Sequence, residues 1–216
     1  MEGCSIITSG HINIEDEFGR LIHDLVISLV PKCIVEIGTW DGTGSTLCII
    51  KAILEAGLKD VWFGSIEIDT EIWEKAKNNL SEYLLNPSLN INLLNGAIIS
   101  YADISWLGKD VVSNIRRRYR KRYYEMFVHD TECLKIAKNI LPAIPDHIDI
   151  LILDGGLYTT YPEWVKIKDR VKVVVLDDTK TLKTQRIREE LLTDKTYRVI
   201  FDNLNIRRGV SAFCKI

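Results

Sequence analysis

The chain has 216 residues, 46% hydrophobic and 27% charged, which suffices for one α/β unit with a sizeable core and does not require two. A formal net charge of −2 supplies no global attraction to nucleic acid or to an anionic membrane, so either partner would need a local patch. Five cysteines stand scattered (Cys4, Cys33, Cys48, Cys133, Cys214) without a C-x-x-C pair, which excludes a disulfide framework and points to a reducing, cytoplasmic compartment. Cys33, Cys48 and Cys214 lie in apolar runs and read as small core residues. The first 17 residues lack the basic stretch and apolar core of a secretion signal. No apolar run approaches the ~20 residues that span a bilayer.

Residues 1–13 read as irregular. Ile14, Phe18, Leu21, Ile22, Leu25, Val26 and Leu29 then recur at helical spacing, and Pro31 closes this helix, so 1–32 is a helical lead-in. Residues 33–38 form a short apolar run that includes an acid, the pattern of a buried parallel strand. A glycine-rich turn follows, with Gly38, Gly42 and Gly44, and then a helical pattern over 47–56 that Gly57 stops. Strand, tight turn and helix together leave free N–H groups at a helix N-terminus, where an anionic group can be held. Residues 61–69 give a second strand. Thr70 opens a helix to about residue 85, with Glu71 and Glu74 at its positive end, and 90–96 gives a third strand. The alternation predicts a parallel sheet built from right-handed crossovers.

The stretch 100–149 is too long for one crossover. Ile115, Tyr119, Tyr123, Met126 and Phe127 mark one helical face, and a second helix is expected over 131–141. We read 100–147 as an inserted helical lid on the strand-end side of the sheet. Residues 148–154 form a fourth strand ending in Asp154-Gly155-Gly156, followed by a helix around 162–171. A fifth strand over 171–178 ends in Asp177-Asp178, a helix over 184–192 follows, and 197–201 with 210–215 read as closing strands. The whole of 1–216 is expected to be one domain.

Acids recur at strand ends: Glu36, Glu67 with Asp69, Asp154, and Asp177 with Asp178. Ligands of open parallel sheets bind beyond the carboxyl ends of the strands, so these acids gather at one rim. Glu67 lies roughly 20 residues beyond the glycine turn, the separation at which a carboxylate can hold both hydroxyls of a ribose. The glycines read G-x-x-x-G-x-G, which is neither the dinucleotide G-x-G-x-x-G nor a P-loop. Glu36 beside the turn would repel a pyrophosphate and suit a cofactor carrying an ammonium group.

Val35-Glu36-Ile37-Gly38 with its turn, Ser65-Ile66-Glu67-Ile68-Asp69 and Asn95-Gly96-Ala97 resemble the first three motifs of class I S-adenosylmethionine-dependent methyltransferases. Residues 150–154 and 173–178 resemble the later ones. The resemblance implies a Rossmann-like α/β fold: a seven-stranded, mostly parallel sheet with an antiparallel last strand and helices on both faces. It also implies that Gly38, Thr39, Gly42 and Ser45 hold the methionine part of S-adenosyl-L-methionine, Glu67 the ribose, and Ala97 and Ile98 the adenine.

Within that superfamily, Asp154 with Asp177 and Asp178 is similar to the metal site of divalent-metal-dependent O-methyltransferases acting on catechols or sugars. Mg²⁺ or Mn²⁺ there would lower the pKa of an acceptor hydroxyl and align it with the methyl group. A strand-to-loop turn with an Asx cap is the structural alternative for Asp177-Asp178-Thr179. Many relatives carry a Lys or His base three residues after the first metal aspartate, where this chain has Leu157. Asp154 itself, Tyr158, or a histidine such as His11 or His129 is left as the base. The run from Arg116 to Tyr124 reads either as an exposed helix face with Tyr119, Tyr123 and Phe127 packed inward, or as a site for RNA phosphate or a nucleotide-linked sugar. The expected function is methyl transfer to a sugar or glycan hydroxyl by an enzyme able to form homo-oligomers. A small phenol and an RNA ribose are the alternative acceptors, and a non-catalytic nucleotide-binding module is the alternative of another class.

Overall fold

The computed structural model describes residues 12–104 and 120–216. His11, Cys4 and residues 116–119 of the basic run lie outside the described residues. In chain order the elements are α1 (Glu17–Leu29), β1 (Cys33–Ile37), α2 (Ser45–Glu55), β2 (Trp62–Glu67), α3 (Thr70–Asn79), α4 (Ser81–Leu84) and β3 (Asn90–Asn95). They continue with α5 (Tyr101–Ile104), α6 (Arg120–Ile136), β4 (Ile148–Leu153), α7 (Thr160–Ile167), β5 (Val171–Asp177), α8 (Gln185–Thr193), β6 (Tyr197–Asn203) and β7 (Val210–Lys215).

The strands form one seven-stranded sheet in the order β3-β2-β1-β4-β5-β7-β6. Pairing is parallel from β3 to β5, and β7 runs antiparallel between β5 and β6. The Rossmann-like architecture expected from the motifs is therefore present, with the last strand in the chain reversed.

Alternation along the strands builds two cores. Ile34, Phe63, Ile150, Ile152, Val173 and Val175 pack against α1 and α2 on one face. Val35, Ile37, Leu151, Leu153, Val174 and Leu176 pack against Trp164, Ile167, Ile187 and Leu191 of the α7–α8 side on the other. Burial of both faces explains why β1 shows five buried residues in a row rather than alternating polarity. Helix α1 starts at Asp16, whose carboxylate accepts from the Gly19 N–H at 2.7 Å. Cys33, Cys48 and Cys214 are buried free thiols, and burial pushes Cys33 up to about 12 and Cys48 up to about 11.

Two helices differ from expectation. The helix over 70–85 divides at Leu80, whose backbone leaves the helical region with φ −101 and ψ 9. The chain over 120–136 is one helix, so Thr131 is not a helix start; its hydroxyl donates to the carbonyl of Val128 at 2.8 Å, the back-bonding of an interior threonine.

Candidate active site

Strand register assembles the rim. Leu94, Ile66, Ile37, Leu153 and Leu176 are paired in sequence across five parallel strands. The next residue on each strand therefore emerges on the same line: Asn95, Glu67, Gly38, Asp154 and Asp177. The chain order reverses between β1 and β4, which is the switch point where open α/β sheets bind ligands.

At that crevice the β1 and β4 ends nearly touch. The Asp154 N–H donates to the Ile37 carbonyl at 2.9 Å. Gly38 has φ +102, and a Cβ there would lie 2.6 Å from the Asp154 carbonyl carbon. Gly42 serves a different contact: its φ is +79, and a Cβ would lie 2.7 Å from a Leu80 methyl, so it lets α3 approach the loop rather than a ligand. The Gly38 and Thr39 N–H groups donate to the Ile66 carbonyl at 3.0 and 3.1 Å. These two amides tie the turn to β2. Thr39 also bonds Ser65 through its hydroxyl at 2.6 Å and is buried. Anion capacity rests instead with the first turn of α2, where the N-cap Gly44 brings no capping side chain and Ser45 stands at the first position.

Glu36 is not on the open rim. It lies inside β1, fully buried, and its Oε2 accepts from Thr46 Oγ1 at 2.6 Å and Ser65 Oγ at 2.5 Å. Both faces of the sheet are covered at this point, so the carboxylate braces the start of α2 from beneath. Burial pushes its pKa up, against the hydroxyls of Ser45, Ser65 and Thr46. Its Oε1 has no hydrogen-bond partner among the described residues.

Glu67 is positioned by two amides: Trp40 N–H reaches Oε2 at 2.9 Å and Asp69 N–H reaches Oε1 at 3.0 Å. Trp40, with φ +52, is a residue 61% exposed whose N–H lies on this acid. Burial raises the Glu67 pKa, and the Asp69 and Trp40 N–H groups oppose that rise. Each oxygen keeps a lone pair for a hydroxyl donor. Ala97 and Ile98 are buried in the second core, and Ala97 is locked to the 138–140 stretch by N–H bonds at 2.9 and 3.0 Å. They form a wall behind the rim rather than an open platform.

The three expected metal ligands converge, but on resident cations. Lys183 Nζ bonds Asp154 Oδ1 and lies 3.2 Å from Asp178 Oδ2. Arg207 makes a bidentate pair with Asp177 at 2.9 and 2.8 Å, and Arg208 stands 3.9 Å from Asp178. Mg²⁺ needs near-octahedral oxygen ligands about 2.1 Å away. Here one carboxylate is saturated by a guanidinium and the other two share an ammonium, so Asp154, Asp177 and Asp178 as arranged do not fit a divalent ion. Burial pushes Asp154 up to about 7 despite Lys183, while Asp154, Asp177 and Asp178 together raise Lys183 and keep it protonated. Asp178 and Arg207 both have positive φ, at +59 and +49. The β6–β7 turn is fixed over β5 by Thr179 N–H to Gly209 O at 3.0 Å and Lys180 N–H to Arg208 O at 2.8 Å.

Tyr158 is not available as a base. It is buried, its hydroxyl donates to the Tyr123 carbonyl at 3.1 Å, and burial pushes its pKa up to about 12. With Phe127 edge-on at 5.2 Å, it anchors α6. The same helix reaches the β2 end through His129 Nε2, 3.2 Å from Asp69 Oδ2. Tyr123 and Phe127 are half-buried, whereas Lys121, Arg122 and Tyr124 are exposed, so the described part of the basic run is a helix with one packed face. His23 and His147 make local pairs with Glu55 and Asp149 at 3.0 and 3.3 Å, away from the rim.

Lys183, Arg207, Asp130 and Glu163 were not anticipated. The two acids sit under Gly155-Gly156: a Cβ on Gly156 would lie 2.9 Å from an Asp130 oxygen, and one on Gly155 would lie 3.3 Å from Glu163 Oε2. Burial, then the neighbouring Asp130 charge, pushes Glu163 up to about 8. The folded state therefore keeps a proton that the unfolded chain loses from about pH 4.5 upward, so stability falls between about pH 4.5 and 8. Ionising the group costs ~1.4 kcal/mol per pKa unit, part of which a buried amide forfeits. Glu163→Gln should thus gain ~2 kcal/mol at pH 9 and nothing at pH 4, read from urea midpoints at the two pH values. An equal effect at both would show that Glu163 is ionised in the fold.

No family model and no curated protein matches the chain. Solved structures do. A methyltransferase from Geobacter sulfurreducens superposes with a TM-score of 0.60 at 14% identity, covering 96% of this chain and 82% of that one. The O-methyltransferase TomG from Streptomyces achromogenes, involved in tomaymycin synthesis and solved with SAM, gives 0.55 at 16% identity over 91% and 78%. An O-methyltransferase from Bacillus cereus, solved with SAH, gives 0.56 at 12% identity over 91% and 80%. At such identities the likeness is one of fold, and the fold is that of class I methyltransferases.

Proposed function

We propose that the chain is an S-adenosylmethionine-dependent O-methyltransferase. One observation carries this reading: the row that brings Gly38, Glu67 and Asp154 to the β1/β4 switch point in a class I methyltransferase fold. The residues fit the cofactor. The uncapped first turn of α2 offers amides to its carboxylate, and Glu67 offers two acceptors to its ribose hydroxyls. The cofactor would supply a methyl group on a sulfonium, which needs only an oxygen nucleophile in line with it. SAM- and SAH-bound neighbours of the same fold support the choice of cofactor.

For the acceptor we favour a sugar or glycan hydroxyl. The rim beyond β4 and β5 is built from paired charges, Lys183, Asp178 and Arg208, which suit an acceptor rich in hydroxyl groups. An RNA ribose is the second reading, favoured by the exposed Lys121 and Arg122 beside the rim. S-adenosylhomocysteine should raise the melting temperature of the purified chain by several degrees, while NAD leaves it unchanged. A shift with NAD alone would sink the cofactor assignment. Labelled methyl transfer across saccharide, phenol and RNA acceptors then separates the readings; binding with no transfer to any of them would favour a non-catalytic module.

A further inference from the structure

We infer that Lys183 takes the place of a divalent metal in this chain, as the fixed cation that binds and polarises the acceptor oxygen. The inference rests on the methyltransferase reading above. Lys183 is about nine-tenths buried, and its ammonium sits between the carboxylates at the ends of β4 and β5. An ammonium has three donors; one goes to Asp154, Asp178 Oδ2 stands at ion-pair distance, and no further acceptor lies on it among the described residues, which leaves capacity for a ligand oxygen. Arg207 neutralises Asp177 independently, and Lys183 together with the more distant Arg208, 3.9 Å from Asp178, balances the other two acids, so the cluster is charge-compensated without an ion.

The position is enforced rather than incidental. Thr184 Oγ1 donates to the Asp177 carbonyl at 2.5 Å, and Thr181 N–H donates to the Asp178 carbonyl at 2.8 Å. The short loop carrying Lys183 is thereby folded back over the strand end it leaves. The Asp154 and Asp178 carboxylates hold the ammonium from two sides. A buried, permanently charged donor aimed at a developing oxyanion needs no reorganisation during the reaction.

The transfer balances with these groups. The acceptor oxygen forms its bond to the methyl carbon while the carbon–sulfur bond breaks and its electron pair goes to sulfur, leaving a neutral thioether. The hydroxyl proton passes to the Asp154 carboxylate and from there to water. Lys183 donates a hydrogen bond to the oxygen throughout and does not lose its own proton.

Mn²⁺ binding tests this without knowledge of the acceptor. The full chain, loaded with S-adenosylhomocysteine, is titrated with Mn²⁺ and followed by electron paramagnetic resonance. Up to about 1 mM, Mn²⁺ should not bind at the β4–β5 rim, because a second cation beside Lys183 is repelled, so any uptake, such as at Asp69, His129 and Cys133, should be the same in Asp178→Asn. Wild-type binding below that concentration, lost in Asp178→Asn, would overturn the inference. With an acceptor from the transfer screen, turnover should survive chelation, and Lys183→Met should lower kcat roughly 100-fold with cofactor affinity within about twofold. Wild-type turnover in Lys183→Met would equally overturn it. If Lys183→Met fails to fold, Lys183→Arg serves: a bulkier planar cation should keep the fold and still lose most of kcat. Failure to bind S-adenosylhomocysteine at all sinks the methyltransferase reading instead, so the two failures are distinguishable.

Discussion

Glu67→Ala should weaken S-adenosylhomocysteine binding by about 100-fold or more, measured by calorimetry on folded protein. The carboxylate would accept from two ribose hydroxyls, and hydrogen bonds to a charged acceptor contribute ~1.5–3 kcal/mol each. The substitution also releases Trp40 and Asp69, whose N–H groups it now holds at 2.9 and 3.0 Å, so the walls of the pocket loosen with the contact. Glu67→Gln separates the two effects. The amide keeps one acceptor oxygen but gives up one of the two backbone N–H bonds, so it should lose about tenfold in affinity with a smaller drop in melting temperature than Glu67→Ala. Full affinity in Glu67→Ala would remove the ribose assignment and, with it, the main reason for reading the β2 end as a nucleoside site.

The placing of Glu67 beside the glycine turn was legible in the sequence because it depends on local features. A short apolar run, a glycine turn and an acid at the next strand end follow one another in the chain, and parallel register then places them side by side. What the sequence does not carry is which way a charged side chain turns once the strands are assembled. Glu36 and Glu67 look alike as acids of strands β1 and β2, yet Glu36 is covered on both sides of the sheet while Glu67 stands at the last paired position. The three aspartates looked like a metal site because their neutralising partners are remote. Lys183 is 29 residues from Asp154 and Arg207 is 30 from Asp177, on loops with no spacing that links them. The double arginine before Gly209, opposite an Asp-Asp strand end, was the one available signal. Helix α6 escaped its boundaries for another reason: its face is mostly charged, so hydrophobic period gives little guidance, and contacts with Tyr158 and Asp69 fix it instead.

Those remote partners make a second result predictable. Arg207→Ala should destabilise the chain by ~3–5 kcal/mol at pH 7, because it strands a carboxylate with no exposed surface. At this size that corresponds to roughly 10 °C in melting temperature. Arg207→Lys should recover only part of the loss, since a point charge cannot make both bonds of the fork. The double variant with Asp177→Asn should be more stable than Arg207→Ala alone, because the buried charge is gone. The pH dependence has a definite sign. Burial would raise Asp177, but the Arg207 bonds prevail and its pKa is lowered, so the pair stabilises the fold above the ordinary aspartate value of 3.8 and is lost as pH falls through the lower folded value. The gap between wild type and Arg207→Ala should therefore narrow only below about pH 4, and adding Mg²⁺ to Arg207→Ala at pH 7 shows whether a freed Asp177 can recruit an ion while Lys183 stays in place. If Mg²⁺ leaves the variant's urea midpoint unchanged, Lys183 alone suffices to exclude the metal; if it restores stability, exclusion depends on both cations, and the acid cluster is one substitution away from a metal site.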